Sequence, residues 1–251
     1  MVSEDVAKAF GAAIVQVLGV AYTYRPSLMV RRYLTKNLAA HHSSRYGNFS
    51  YFYKGDKFSI LGSEEPLKLR TDPATGSLAQ HWPEPELAIL LGHNHEIVAY
   101  TLANDLTAIG IEARGRTEQQ DGTYLGKVWE GSGSLGPRFV PVAAIPDPKH
   151  LTIGLSIKRK GRIIYDQQYS TSRCKNLFTS IPAAIVDCHR QFNDPVPLSK
   201  RIRVCPPWWL PAGTVVMLGT GLIVRKEYYC QPGDILTVYC AEIGELTNAV
   251  I

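Results

Sequence analysis

The chain has 251 residues, 45% of them hydrophobic and 20% charged, an ordinary balance for a globular protein long enough to bury a core. Its 27 basic and 22 acidic residues leave a net charge of +5, and the basic ones are scattered, which disfavours a nucleic-acid-binding face and fits at most a bias toward small anionic molecules. Five cysteines (Cys174, Cys188, Cys205, Cys230 and Cys240) form no CxxC pair and no apolar run is long enough for a membrane span; this excludes a disulfide framework, a zinc finger and a membrane helix, and points to a cytoplasmic protein with reduced thiols.

Taken in chain order, Ser3 supplies a helix cap and Glu4 and Asp5 suit a first helical turn. The same acids stand where a signal peptide would be basic. Ala, Val and Leu then recur through Leu18, so a helix is expected over residues 3–18, ended by Gly19. Leu28, Val30, Tyr33, Leu34 and Leu38 lie near helical spacing and predict a second helix over 27–42. From Asn48 onward the character changes. Tyr51, Phe52 and Tyr53 form an aromatic strand, and short strands are expected over 57–61, 87–91, 96–102, 138–142, 151–158, 162–168, 201–204, 214–218 and 235–240, with Pro and Gly between them. The segment 174–192 is the one late helix expected. The chain therefore reads as a β-rich α+β protein, divided into a short helical part over 1–47 and a domain over 48–251 that carries the chemistry.

That chemistry centres on the stretch from His81 to Ala113. Glu84 and Glu86 are two apart at the mouth of the apolar run Leu87–Leu91, which puts both side chains on one face of a strand. Two carboxylates at a buried strand entrance repel each other unless something positive lies between them. Asp105 ends the next apolar strand, and a hairpin through 92–96 would bring it beside the first two. A hard divalent cation with oxygen ligands is one solution; three solvated surface carboxylates are the other, and spacing alone leaves both open.

The ordered motifs resemble the fumarylacetoacetate hydrolase superfamily: Pro83-Glu-Pro-Glu-Leu-Ala-Ile-Leu-Leu-Gly92, then Ile97-Val-Ala-Tyr-Thr-Leu-Ala-Asn-Asp105, then Lys127 nine residues before Gly136-Pro137, Leu218-Gly-Thr-Gly221, and the end from Gln231 through Asn248. Gly19-Val-Ala-Tyr22 and Tyr51-Phe-Tyr-Lys54 resemble it more weakly. The resemblance implies a mixed β-sandwich or roll with few helices. It implies magnesium or manganese on Glu84, Glu86 and Asp105, Lys127 as a catalytic lysine, and Tyr22, Arg25 and Thr220 as substrate contacts. It also implies a homodimer acting on a small 2-oxo acid, with no nucleic-acid or membrane partner.

Two departures narrow the resemblance. Hydrolases of the family carry a His, with a Glu just beyond, shortly after the Gly-x-x-Tyr segment; here Arg25 stands where the His would be. Losing a general base removes a contribution of roughly 10²–10⁴-fold, so hydrolysis is disfavoured. The family's dehydratases of 2-oxo-3-deoxy sugar acids also lack that His, and this chain is more similar to them. The expectation is a metal-dependent lyase working through a metal-bound enolate, with Lys127, its pKa depressed by the dication, as proton carrier or as stabiliser of the enolate charge. A hydrolase or decarboxylase of an acylpyruvate-like substrate, or a relative that has lost its chemistry, are the alternatives. Secondly, Ile109-Gly110 replaces the family's Arg-Asp. Elsewhere, Gly131-Ser-Gly-Ser-Leu-Gly136 matches GxGxxG, but no helix is expected after it, so it is no nucleotide loop. His93-Asn-His95 reads as a solvated turn, and Arg45, Lys54 and Arg225 are left as unresolved candidates for a substrate carboxylate.

Overall fold

The computed structural model describes residues 14–21, 50–93, 96–117, 122–173 and 211–251. The helices expected over 27–42 and 174–192, the strand over 201–204, Tyr22, Arg25 and Arg45 lie outside the described residues. Twelve strands are described: β1 (Gln16–Ala21), β2 (Ser50–Gly55), β3 (His81–Trp82), β4 (Pro85–Leu91), β5 (Ile97–Asp105), β6 (Thr107–Ala108), β7 (Gly133–Pro141), β8 (Thr152–Arg159), β9 (Arg162–Ser170), β10 (Thr214–Met217), β11 (Ile235–Cys240) and β12 (Gly244–Ala249). Two α-helices accompany them, α1 (Ile109–Thr117) and α2 (Gly122–Lys127). Among the described residues no helix is long and apolar enough to cross a membrane.

The larger sheet has the order β2-β1-β10-β4-β5-β7, the smaller β12-β11-β8-β9, and β3 pairs β6 alone. Within the larger sheet only β1 and β10 run parallel; the other pairs are antiparallel. This sheet curls. After β2 the chain turns through residues 56–60, and Leu61 then bridges Ser134 of β7. Leu61 N–H donates to Gly133 O at 3.0 Å, and Leu135 N–H donates to Leu61 O at 2.9 Å. The two edge strands are thus brought to each other and the sheet becomes a roll with an inside and an outside.

Strand alternation sorts the side chains between those faces. Leu87, Ile89 and Leu91 of β4 and Leu102 of β5 point outward, against Leu155 and Ile157 of β8 and Leu236 and Val238 of β11. Ala88, Leu90, Ala99, Ala103, Val17, Val215 and Met217 point inward. Burial on both faces is why Pro85–Leu91 reads as an uninterrupted apolar run. Within the smaller sheet Arg159, at the end of β8, clamps Asp234, just before β11, with Nε and Nη2 each 2.8 Å from a carboxylate oxygen.

The structure corrects three expectations. Residues 16–18 are strand, not the end of a helix, and Gly19 lies inside β1. A Cβ on Gly19 would come within 2.2 Å of the Phe52 ring, so its glycine makes room for a neighbour across the sheet instead of stopping a helix. A short run buried on both faces has no period to read. Residues 57–60 form a turn, because Asp56 Oδ1 accepts from the N–H groups of Phe58 and Ser59 at 2.9 and 3.1 Å. Helices α1 and α2 were unexpected; each contains two glycines and neither has an apolar stripe.

Leu155 is fully buried between the sheets. Leu155→Ala should lower unfolding stability by about 2–5 kcal/mol, measured by urea titration; a loss under about 1 kcal/mol would mean the sheets do not share one core.

Candidate metal centre

Glu84 lies immediately before β4 and Glu86 within it, so the two continue the inward-facing row that includes Ala88 and Leu90. Asp105 ends β5 on the same side as Ala103, and its N–H donates to Glu84 O at 2.9 Å, which sets the two acids side by side. One oxygen from each of Glu84, Glu86 and Asp105 lies within 4.8 Å of the others. Glu86 and Asp105 are each 2% exposed. The Glu84 side chain is 16% exposed and marks the open side of the cluster.

Two lysines enter this cage. Lys54 follows Phe52 on the inner face of β2 and runs across the roll. Its Nζ is 2.6 Å from Asp105 Oδ1 and donates to Leu106 O at 3.3 Å and to Lys127 O. Gly133 of β7 makes this path possible: a Cβ there would sit 2.9 Å from Lys54 Cε and 3.2 Å from Asn104 O. The Trp129 ring centre lies 5.5 Å from the ammonium. Lys127 comes from the end of α2. Its Nζ is 2.8 Å from Asp105 Oδ2, 2.7 Å from Thr107 Oγ1 and 3.0 Å from Glu84 Oε1, and it faces the Phe52 ring centre at 5.7 Å. The Thr107 hydroxyl in turn donates to Glu84 Oε1 at 2.9 Å. On the far side the chain after β10 closes over Glu86, where Gly219 N–H donates to Glu86 Oε2 at 2.6 Å.

These neighbours set the ionisation of each group. Burial alone would push Asp105 up, but the two ammonium groups outweigh it and hold its pKa below the usual carboxylate range. Burial raises Glu84, with Lys127 opposing and Asp105 adding to the rise. Glu86 is pushed well above the ordinary value by burial and then by Asp105 and Glu84. For Lys127, burial works against the ammonium and the surrounding carboxylates overcome it, so its pKa is raised. For Lys54, burial dominates and Lys127 adds to it, so its pKa is lowered despite Asp105. A fourth carboxyl, Glu112 of α1, is pushed up to about 8, chiefly by burial.

The donor set fits a hard divalent cation. All three candidate ligands are carboxylate oxygens, and two lysines leave the three carboxylates short of positive charge, which is what the raised Glu86 expresses. An octahedral ion with metal–oxygen distances of about 2.1 Å separates its ligand oxygens by roughly 3–4.2 Å, within the 4.8 Å span of the cluster. Burial of this much carboxylate without compensating positive charge is otherwise unfavourable.

The structure brings together four residues singled out from sequence: Glu84, Glu86, Asp105 and Lys127. Thr220 is buried in the loop next to Gly219, and its Oγ1 accepts from Leu222 N–H at 3.1 Å. Tyr22 and Arg25 are not among the described residues. Arg225 is exposed and His93 sits exposed in the β4–β5 turn. Ile109 and Gly110 open α1, and a side chain at Gly110 would meet nothing within 4 Å. The glycine-rich stretch leads into β7, not a helix. Lys54, one of the candidates for a substrate carboxylate, is wholly buried and paired with Asp105. Thr107 and Glu112 carried no recognisable signal; a lysine two positions after an inward aromatic on a short strand was the available clue to Lys54.

Residues 33–251 match the family described as fumarylacetoacetate (FAA) hydrolase C-terminal. The chain is 27% identical over 203 residues to a 2-dehydro-3-deoxy-D-arabinonate dehydratase of Saccharolobus solfataricus, covering 79% of this chain and 57% of the relative. It is 30% identical over 170 residues to a protein of Haloferax volcanii described as "Probable 2-keto-3-deoxyxylonate dehydratase", covering 67% of this chain and 50% of the relative. The chain thus spans about half the length of these curated relatives. Among solved structures, a 2-keto-3-deoxy-D-arabinonate dehydratase complexed with magnesium and 2,5-dioxopentanoate superposes with a TM-score of 0.70 at 22% identity, covering 95% of this chain and 73% of that one. At that identity the likeness establishes the fold.

Glu112 binds its proton more tightly folded than unfolded, so its contribution to stability is complete below pH 4.5 and is lost as pH rises through about 8. In the cation-free protein, Glu112→Gln should therefore flatten the fall of unfolding free energy across that window, measured by urea titration at several pH values. An unchanged slope would show that Glu112 ionises freely.

Proposed function

Because the chain belongs to the fumarylacetoacetate (FAA) hydrolase family, we propose that it is a divalent-metal-dependent lyase that removes water from a 2-oxo-3-deoxy sugar acid or a close analogue. The single observation that carries this reading is the inward-facing triad of Glu84, Glu86 and Asp105 with the Lys127 ammonium at its edge. The dehydratase names of the two curated relatives, and the magnesium and dioxo acid held by the solved relative, support the choice of cation and substrate class.

Magnesium on the three carboxylates would polarise the 2-oxo carbonyl and lower the pKa of the adjacent C–H. The reaction is redox-neutral: a proton leaves the carbon beside the 2-oxo group, hydroxide leaves the next carbon, and together they make water. The Lys127 ammonium, 2.8 Å from Asp105 and 3.0 Å from Glu84, is placed to meet negative charge growing on the 2-oxo oxygen and to give a proton to the departing hydroxide, being restored by the proton released from carbon. Thr220 and its glycine neighbours form a wall beside Glu86 suited to the substrate's carboxylate or a hydroxyl. Tyr22 and Arg25 are further candidates for contact with the substrate. The small apolar side chains inside the roll, Ala88 and Ala103 among them, exclude water from behind the site. Arg25, where the family's hydrolases hold a His, favours elimination over water attack.

Glu86→Gln should abolish magnesium-dependent loss of a 2-oxo-3-deoxy sugar acid while leaving the circular-dichroism spectrum and melting transition in place. Turnover that persists in this variant, or in wild-type protein stripped with EDTA, would overturn the assignment.

A further inference from the structure

The two buried lysines of the site are anchored in different ways. Lys54 Nζ donates to two main-chain carbonyls, Leu106 O and Lys127 O, besides its ion pair with Asp105 Oδ1, and its side chain has no exposed surface. It crosses directly over Gly133, where a Cβ would sit 2.9 Å from its Cε. Among the described residues, Lys127 Nζ is held by side-chain oxygens alone: Asp105 Oδ2, Glu84 Oε1 and Thr107 Oγ1. The backbone of Lys127 is nonetheless pinned, since its carbonyl accepts from Lys54 and from Ser132 Oγ, the latter at 3.0 Å. A four-methylene arm thus hangs from a fixed point and ends among the oxygens a divalent cation would need.

We propose that Lys127 is a displaceable stand-in for the divalent cation: its ammonium occupies the carboxylate cage when the cation is absent, and cation entry drives it off Glu84 and Asp105 toward the substrate, while Lys54 stays in place. This rests on reading the triad as the cation site. The physical reason is crowding of like charge. Both oxygens of Asp105 are already engaged by ammonium groups and Glu84 Oε1 by one. A dication on those carboxylates would lie within a few ångströms of the Lys127 charge in a site shielded from water, where repulsion is strong. Lys54 cannot retreat without breaking backbone contacts; Lys127 has only side-chain contacts to exchange. The stand-in explains how three crowded carboxylates remain folded without the cation. It also makes loading the event that frees the lysine, so that the cation binds before the substrate.

The test is magnesium binding by isothermal titration calorimetry to the wild type, Lys127→Met and Lys127→Arg, joined to a crystal structure of the wild type with magnesium. Removing the competing charge should tighten binding on the order of ten-fold in Lys127→Met, whereas Lys127→Arg, which keeps charge and donors, should bind no tighter than wild type. In the magnesium-bound wild type, Lys127 Nζ should have left hydrogen-bonding distance of both Glu84 Oε1 and Asp105 Oδ2, with Lys54 still on Asp105. Equal or weaker binding by a Lys127→Met protein that melts cooperatively overturns the inference and leaves the metal reading standing. So does a magnesium-bound structure in which Lys127 has not moved. No magnesium binding by the wild type or any variant overturns both.

Discussion

The arrangement turns on one buried anion. Asp105 is 2% exposed and carries an ammonium on each oxygen, Lys54 on one and Lys127 on the other. An unpaired carboxylate at that depth would be strongly destabilising or would take up a proton. Much of the surrounding structure serves the pairing. The roll brings β2 across to β5 and β7. Gly133 leaves the width of a lysine chain, Trp129 lies beside the ammonium, and the carbonyl at the end of α2 accepts from it. With Asp105 held ionised, Glu84 and Glu86 can be brought beside it and the cluster acquires its appetite for positive charge.

The roll and the second sheet divide the work between them. The outward side chains of β4 and β5 form a shared core with β8 and β11, built from Leu, Ile and Val. The inward row is built largely from Ala and Val with a few longer residues. Large residues outside supply the burial that stabilises the sheet; small residues inside leave room for long charged side chains to reach the site. The same strand therefore supports the fold on one side and the chemistry on the other.

How far this was legible in the sequence follows from the range over which each signal acts. Glu84, Glu86 and Asp105 lie on two consecutive strands joined by a short turn, so period-two alternation and a hairpin were enough to group them. Lys127 carries no local mark; only the ordered resemblance to the family placed it at the site. Lys54 was visible as one of several basic residues, but its position depends on a sheet that rolls closed, and nothing near it in sequence reports that closure. The first strand was misread because a run buried on both faces shows neither alternation nor helical spacing. Glu112 escaped notice for a related reason: α1 has no apolar stripe, so nothing marked which of its residues turned inward.

The span of the contacts that complete the site has a kinetic side. Strand β1 meets β10 through Gln16 and Thr214, 198 residues apart, and Gly219 reaches Glu86 across 133. Lys54 finds the Lys127 carbonyl across 73 and Leu106 across 52. The β4–β5 hairpin, by contrast, forms from neighbouring chain, and it gathers three acids with no cation beside them. Formed by itself, this hairpin would be a self-repelling unit that water must keep apart. Its burial waits on loop closures whose entropy must be lost before any pairing compensates it. The contacts that complete the site are therefore among those that cost the chain most loop-closure entropy.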